Sequence, residues 1–394
     1  MKRILLYLLA FAPLGAFADV PPSGYYRVQN YTTNRYMTIV DDRADIKVST
    51  TSGDNVKEDF QAIFMTTGFE ENIAYNPASI CYFQLEGSTQ YNLSGQGLDL
   101  HARTGHYINV KQNTDDASKG YWFYASVVKS GLEVKRYLSD NTYHGTKFCP
   151  SISVTTTNDN TNWRMFPVDQ NENSYLGVKP DITASADGSY WATMYAGFPF
   201  KASAATSKIY RVSKVDKAQG VAVITEITDY VPLQTPVLFL CTGAAPSSNK
   251  LTLPDNTNAG SAVGTNCLKG NYYCNDVEES TGHRNVTLYD SNTMRVLGVD
   301  ADGKPAFVKG DDTNLVKSTI DGKLYLPANK AYLVVDDAPD VLKIMTEEEY
   351  ITGIEQVTTS TTDGTKVVYD LQGRRVQAPS KGLYIVNGKK MIIR

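Results

Sequence analysis

The sequence contains few of the residues that usually carry catalysis or bind metals, with 4 His, 3 Trp and 5 Cys among 394 residues. The histidines are His101, His106, His144 and His283. No GxSxG or HExxH pattern accompanies them, so we interpret them as polar turn residues. The cysteines lack CxxC spacing and no HxxxH pair occurs, so no metal and no cofactor are expected. We therefore expect a protein that is not an enzyme.

Basic residues and long apolar runs are also scarce. The chain has 38 Lys+Arg against 42 Asp+Glu, a formal net charge of -4. Nucleic-acid-binding proteins usually carry a clustered basic surplus, so no nucleic acid is expected as a partner. Beyond the first 18 residues no stretch is apolar enough for a membrane helix, so the mature chain is predicted to have no membrane span.

The first 18 residues have the pattern of a secretory signal peptide. Lys2 and Arg3 precede the apolar run Ile4–Leu14, which is too short to span a bilayer comfortably. Small residues follow, and cleavage is expected after Ala18. We therefore expect a secreted or cell-surface protein, exported through the inner membrane by a Sec-type signal.

Composition favours strands and turns over helices, because 26 Tyr, 13 Phe and 29 Gly recur with many Thr, Val, Asn and Asp. Between 175 and 345, alternating apolar segments are separated by turn residues at the spacing of a β-sandwich or barrel-like domain. Thr346 and Glu349 form a helix-capping pattern at the start of a linker, 346–365. Gln372-Gly373 and Asn387-Gly388 then predict tight hairpins in the tail, 366–394. The fold class is therefore predicted to be all-β.

Two short patterns leave choices open. Cys267 and Cys274 flank Gly270-Asn271, and a hairpin there would bring the thiols close enough for a disulfide, although buried free cysteines are also common. Asp300, Asp302 and Gly303 resemble a fragment of a calcium loop, but Lys304 stands where an oxygen ligand is needed. Since apolar segments flank Asp302-Gly303, we predict a hairpin turn there.

Three similar stretches occur in residues 19–170. They run from Tyr36 to Phe60, from Leu98 to Trp122 and from Tyr143 to Trp163. Each has a short apolar strand, a polar turn, a second alternating strand and a loop that ends in an aromatic residue, and such units usually pack together. This segment resembles a ricin B-lectin-like β-trefoil. The Gln of that family's Gln-x-Trp motif is replaced at all three positions.

The resemblance implies sugar binding in shallow pockets built from an aromatic ring and Asp or Asn oxygens. In the second repeat Asp99, His101, Tyr107 and Asn109 alternate with apolar residues, and we therefore place them on the solvent side of their strands. These four residues are the candidate carbohydrate-binding site, and a glycan or glycoconjugate is the expected partner.

The later segments resemble exported proteins of Bacteroidetes. The order of strands in 175–345 is similar to a β-rich domain that recurs in those proteins. The tail, "VYDLQGRRV" followed by "KGLYIVNGKK", is similar to the C-terminal signals sorted by the type IX secretion system. That resemblance implies a secretion or anchoring system as a second partner. The alternative is that the tail strands complete a domain.

The sequence thus predicts a non-catalytic, lectin-like binding protein. A trefoil-type protein-interaction or proteinase-inhibitor module is one alternative. An enzyme with a site in the central domain, involving His283, is another.

Overall fold

The computed structural model describes residues 20–42, 58–59, 63–99, 108–129, 132–144, 147–278, 284–357, 368–370, 373–376, 382–386 and 389–393. Strands make up 44% of the structure and helices 8%, so the all-β prediction is confirmed. The expected signal peptide, with its cleavage site at Ala18, lies outside the described residues. Within those residues, no helix is long and apolar enough to cross a membrane.

The first sheet is a closed barrel with extensions. Its strands are β1 (Gly24–Asn30), β2 (Tyr36–Ile39), β3 (Glu58–Asp59), β4 (Ile63–Thr66), β5 (Cys81–Leu85), β6 (Gln90–Gly95), β7 (Leu98–Asp99), β8 (Ile108–Gln112), β9 (Tyr121–Lys129), β10 (Leu132–His144), β11 (Lys147–Val154) and β12 (Asn162–Pro167). Strands β1, β12, β9, β8, β6 and β5 pair antiparallel in that order, and β5 returns to β1. The pair β2–β4, strand β7 and the hairpin β10–β11 extend from this ring.

Alternation along the ring strands fills the barrel with apolar side chains. Successive residues of a strand point to opposite faces, so every second side chain reaches the interior. The largest inward groups include Tyr26, Val28, Phe83, Tyr91, Leu93, Phe123, Trp163 and Met165. The opposite faces of β5 and β6 carry polar side chains, and these become important for the candidate site.

Among the described residues of this unit, a one-turn 3-10 helix occurs three times, each time immediately before a ring strand. The three helices are Pro77–Ser79, Ala117–Lys119 and Asp159–Thr161. The side chains of Asn76, Asp116 and Asn158 each accept a hydrogen bond from the backbone N–H two residues later. Such a cap satisfies a donor that the first turn of a helix leaves unpaired. The unit therefore contains a threefold repeated element.

These turns correct the alignment of the sequence repeats. Two residues after each 3-10 helix stands an inward side chain, Cys81, Tyr121 or Trp163, and all three are buried. The sequence alignment had put Phe60 and Trp122 in the place of the first two. Trp122 lies one residue further along β9 and is half-buried, while Phe60 lies outside the described residues. The alignment followed the bulkiest aromatic residue, whereas the strand register follows the capped turn.

Buried tyrosines in the barrel predict a pH dependence of stability. The Tyr26 hydroxyl donates to the Pro22 carbonyl at 2.8 Å, and burial raises the pKa of Tyr26 to about 12. Because the folded state holds this proton more tightly than the unfolded state, the contribution of Tyr26 is complete below about pH 10 and is lost as the pH rises through the folded pKa.

We therefore expect the stability difference between the wild type and Tyr26→Phe to shrink by about 1.4 kcal/mol per pH unit between about pH 10 and about pH 12. Urea unfolding of both proteins across this range, followed by circular dichroism, measures the difference directly. A difference that is constant or grows with pH would contradict the assigned burial of the hydroxyl.

The central unit follows without a break. Its strands are β13 (Leu176–Gly177), β14 (Ile182–Thr183), β15 (Tyr190–Met194), β16 (Lys201–Ala202), β17 (Lys208–Asp216), β18 (Val221–Glu226), β19 (Val237–Cys241), β20 (Lys250–Thr252), β21 (Leu268–Asn271), β22 (Met294–Val299), β23 (Pro305–Val308), β24 (Val316–Lys317), β25 (Leu324–Tyr325), β26 (Lys330–Val334) and β27 (Val341–Thr346). The main sheet has the order β14-β15-β19-β17-β18-β27-β23-β22-β26-β21. It is antiparallel except for the pair β18–β27. Residues of β15 and β26 lie close together, so the sheet curls around a core that includes Trp191, Phe307, Leu333 and Leu342.

Two predicted local structures in this unit are confirmed. Asp302-Gly303 lies in the turn between β22 and β23, which pair antiparallel, and Gly303 has a φ of 76° that glycine adopts readily. Helix α1 (Glu347–Val357) begins where the capping pattern predicts. The Glu349 carboxylate accepts from the Thr346 backbone N–H at 2.8 Å, and the Thr346 hydroxyl accepts from the Glu349 N–H at 3.2 Å. The whole helix lies within 346–365, the segment that the sequence suggested was a linker.

The candidate disulfide between Cys267 and Cys274 is not formed. Gly270 and Asn271 lie inside β21, which pairs with β26, so the expected hairpin is absent there and does not bring the two cysteines together. Both thiols are partly buried, and burial raises the pKa of Cys274 to about 11. The two cysteines are not bonded in this structure, in which a strand paired with a distant partner stands in place of the local turn.

The tail forms a small antiparallel sheet of its own. Its strands are β28 (Val368–Tyr369), β29 (Gly382–Val386) and β30 (Lys389–Ile393). Val386 pairs with Lys389 across a two-residue connection, Asn387-Gly388, which itself lies outside the described residues. Near the first predicted hairpin, Gly373 has a φ of 76° and its N–H donates to the Asp370 carbonyl. The turn at Gly373 therefore stands where the sequence predicts it, and β29 pairs with β30 on either side of the second predicted turn.

The barrel and the central unit share one interface. Gln96 and Asn329 donate to each other through their side-chain amides at 2.9 and 3.0 Å, and both residues are buried. One apolar cluster contains Tyr25 and Ile80 of the barrel together with residues 176–251 of the central unit. This shared core fixes the relative position of loops that contribute to the candidate site.

Candidate functional site

Of the four sequence-predicted binding residues, the structure describes the side chain of Asn109. Asp99 is the last residue of β7, and nothing further is described of its side chain. His101 and Tyr107 lie outside the described residues. Asn109 is only 8% exposed, which corrects its expected position on the solvent side.

The side chain of Asn109 is instead part of the barrel wall. Its amide oxygen accepts from the Thr89 hydroxyl at 3.1 Å, and its amide nitrogen donates to the Tyr124 carbonyl at 3.4 Å. Buried amides are normally satisfied in this way, since an unpaired one is costly. Alternation predicted the opposite face, but the side chain is buried there and bonded to its neighbours. Asn109 therefore has little capacity left for a ligand.

A groove beside the same barrel has better chemistry for binding. It has a volume of about 420 Å³ and lies between the outer faces of β5 and β6 and loops of the central unit. We call it the neutral groove; its polar and aromatic lining consists of Tyr82, Gln84, Asn92, Ser94, Gln234 and Thr257. No Asp, Glu, Lys or Arg belongs to its described lining.

Strand alternation positions the barrel side of the neutral groove. Cys81 and Phe83 point into the barrel core, so Tyr82 and Gln84 point outward. Tyr82 pairs with Ser94 and Gln84 pairs with Asn92 across the β5–β6 hairpin. The four outward side chains therefore form a two-by-two array on one rigid surface.

The Tyr82 ring is held in place from below. It packs against the Tyr25 ring with centroids 4.8 Å apart and planes inclined by 56°. The Tyr25 hydroxyl donates to the Asn256 carbonyl at 3.3 Å, which connects this tilted ring pair to the central unit. Burial raises the pKa of Tyr82, so its hydroxyl is a neutral donor at physiological pH. Tyr82 thus offers a fixed ring edge and face to the groove.

The far wall depends on a close backbone contact. A Cβ on Gly197 would lie 2.7 Å from the Gln96 nitrogen, so a larger residue would push the central loop away from the barrel. On the same wall, Gln234 has a left-handed backbone conformation with φ of 59°, and its N–H donates to the Ala196 carbonyl at 3.0 Å. These contacts place the Gln234 side chain on the groove wall.

Most polar groups of the neutral groove retain hydrogen-bonding capacity. In the part of the chain that the structure describes, the side chains of Gln84, Ser94 and Gln234 make no hydrogen bond to another protein group. Asn92 donates to Glu86 at 2.9 Å, while its amide oxygen accepts none there. An amide offers donors and an acceptor at fixed spacing, which suits vicinal hydroxyl groups. Sequence reasoning missed this array, although the alternation in "CYFQL" contained the signal.

Outside the neutral groove, two buried cysteines have weakly reactive thiols. Burial raises the pKa of both Cys81 and Cys241 to about 12, so these thiols are protonated at neutral pH. Across the described ranges, no three His, Cys, Asp or Glu side chains converge to hold a metal ion.

No family model matches the chain, and no curated protein does.

Proposed function

We propose that this protein is an exported, non-catalytic carbohydrate-binding protein that holds an uncharged saccharide in the neutral groove. The observation that carries the proposal is the composition of that groove: one fixed aromatic ring beside uncharged amides and hydroxyls with unused hydrogen-bonding capacity. An aromatic ring offers an apolar surface to the C–H groups of a sugar, and the amides match its hydroxyls. The absence of charge in the described lining favours a neutral ligand.

The architecture of the barrel supports a β-trefoil as the scaffold. A closed ring of six antiparallel strands, with hairpin extensions and a threefold repeated capped turn, is what a trefoil of the ricin B-lectin type would contain. The neutral groove lies on the outer face of this barrel, where such proteins would present binding surfaces. The proposed ligand site moves from the second sequence repeat to the β5–β6 hairpin.

The test is binding of neutral oligosaccharides to the full chain, first on a glycan array and then by calorimetry with the best ligand. We expect Tyr82→Ala to weaken binding about tenfold, since stacking contacts contribute about 1–2 kcal/mol. Gln84→Ala, at an exposed position, should weaken it about threefold to tenfold through lost hydrogen bonds. Affinity should change little between low and high salt.

Tyr31→Ala is the matched control. Tyr31 is a half-exposed tyrosine of the same barrel, and its ring lies under Arg164, away from the groove. Thermal unfolding of each variant separates lost binding from lost folding. The proposal fails if no neutral saccharide binds, or if Gln84→Ala and Tyr82→Ala bind as tightly as Tyr31→Ala.

A further inference from the structure

A second cleft, on another side of the junction, differs from the neutral groove in its charge. It has a volume of about 350 Å³ and lies between residues 66–77 of the barrel and residues 177–194 and 328–330 of the central unit. We call it the cationic cleft. Its described lining includes Lys179 and Lys330 and contains no Asp or Glu.

The two lysines of the cationic cleft differ in their partners. Lys330 forms an ion pair with Asp181, and its ammonium also donates to the Thr193 carbonyl at 3.3 Å. Its charge is therefore compensated. Lys179 is exposed and has no carboxylate partner among the described residues. The cleft thus contains one positive charge without a counterion from this part of the chain.

An aromatic ring holds the uncompensated charge in position. The Lys179 ammonium lies 4.7 Å from the centroid of the Tyr75 ring, a cation–π distance. The backbone fixes this arrangement, because the Gly177 N–H donates to the Ala74 carbonyl at 2.9 Å. A Cβ on Gly177 would lie 2.2 Å from the Pro246 carbonyl oxygen. A larger residue at this position would therefore clash with the Pro246 backbone.

The other walls of the cleft offer polar and apolar groups together. The Asn76 amide oxygen is used in its helix cap, and its amide nitrogen makes no hydrogen bond in the described ranges. The Asn72 nitrogen donates to the Thr67 carbonyl at 2.8 Å, which leaves the Asn72 oxygen as an acceptor. Val178 and Met194 supply apolar surface.

From this geometry we propose that the cationic cleft binds a carboxylate-bearing saccharide unit, such as a uronic acid, with its carboxylate on Lys179. Charge-assisted hydrogen bonds are stronger than neutral ones, so the lysine selects the acid over its uncharged parent sugar. The amides of Asn72 and Asn76 face the hydroxyls, and the apolar wall faces the ring. This site is separate from the neutral groove and does not depend on it.

The experiment is calorimetric titration of the full chain with D-glucuronate, D-glucose and acetate. We expect glucuronate to bind about tenfold more tightly than either of the others, and its affinity to fall as salt is raised. Lys179→Gln removes the charge and keeps most of the length of the side chain, so it should reduce glucuronate affinity about tenfold. Lys179→Arg should retain most of it.

Lys201→Gln is the matched control, because the exposed Lys201 ammonium lies 4.5 Å from the Tyr230 ring centroid outside the cleft. In the Tyr82→Ala variant, whose neutral groove is disabled, glucuronate binding no tighter than glucose or acetate binding would overturn the proposal, as would equal losses in Lys179→Gln and Lys201→Gln. Tyr82→Ala should leave glucuronate binding unchanged. Failure at either site is therefore distinguishable from failure at the other.

Discussion

Arg27→Met is expected to destabilise the folded chain by about 3–5 kcal/mol, because it leaves several buried acceptors without a donor. Arg27 is fully buried, and its guanidinium donates to the Ser79 hydroxyl at 2.9 Å and to the Tyr175 carbonyl at 2.8 Å. It also donates to the carbonyls of Ser174 and Ile73. Methionine keeps the apolar stem and removes all of these bonds.

The buried positive charge of Arg27 makes this position sensitive to substitution. In the described part of the chain no carboxylate pairs with Arg27, and burial lowers its pKa to about 9, so it remains protonated at pH 7. The guanidinium fork satisfies several acceptors at once, which a lysine cannot reproduce. Arg27 therefore joins the barrel strand β1 to the first residues of the central unit by hydrogen bonds alone.

Urea unfolding of Arg27→Met against Arg164→Met measures this effect. Arg164 lies in the neighbouring strand β12 and is half-exposed, with its guanidinium 4.4 Å from the Tyr31 ring centroid. Its loss should cost about 1 kcal/mol or less. Similar midpoints for the two variants would contradict the buried role of Arg27.

Trp163→Ala is expected to cost about 3–5 kcal/mol, the usual range for removing a buried aromatic residue. Trp163 is fully buried in the barrel, and its indole N–H donates to the Leu138 carbonyl at 3.0 Å. The variant loses this bond and leaves a cavity beside Phe123, whose ring centroid is 6.1 Å away.

Trp122 is the matched control for that prediction. It is half-buried, and its indole nitrogen has no hydrogen-bond partner among the residues that the structure describes. Trp122→Ala should therefore cost clearly less than Trp163→Ala, and Trp122→Phe should be close to neutral, since it removes an unsatisfied donor. Denaturant unfolding of the three variants tests the strand register: equal costs for the two alanine substitutions would favour the sequence alignment over the structural one.

The sequence contained enough information for the local structure. Alternation and turn residues predicted strands, and the turns at Asp302-Gly303 and Gly373 stand where expected because their backbone requirements are local. The helix cap at Thr346 is local in the same sense. The all-β class followed from the same signals.

Long-range contacts explain what the sequence did not reveal. Nothing near Cys267 in the chain indicates that the segment after it pairs with β26 rather than turning back. The alternation around Asn109 indicated its face but not its burial or its hydrogen bonds to Thr89 and Tyr124. The neutral groove forms where residues of the barrel and of the central unit meet. The sequence around Tyr82 does not indicate that Gln234 lies nearby.

The parallel pair β18–β27 has a consequence for how the chain reaches this structure. Val221 pairs with Lys343, and Tyr26 pairs with Pro167 in the barrel ring, so both units close through contacts between distant segments. Such closure carries a loop-entropy cost before any packing compensates for it, which slows folding. Hairpins such as β17–β18 can form early, but the core of the central unit must wait for its last strand. Until β27 docks, the edge of β18 is unpaired and can pair with another chain. Helix α1 directly follows β27, so it reaches its position only at that step.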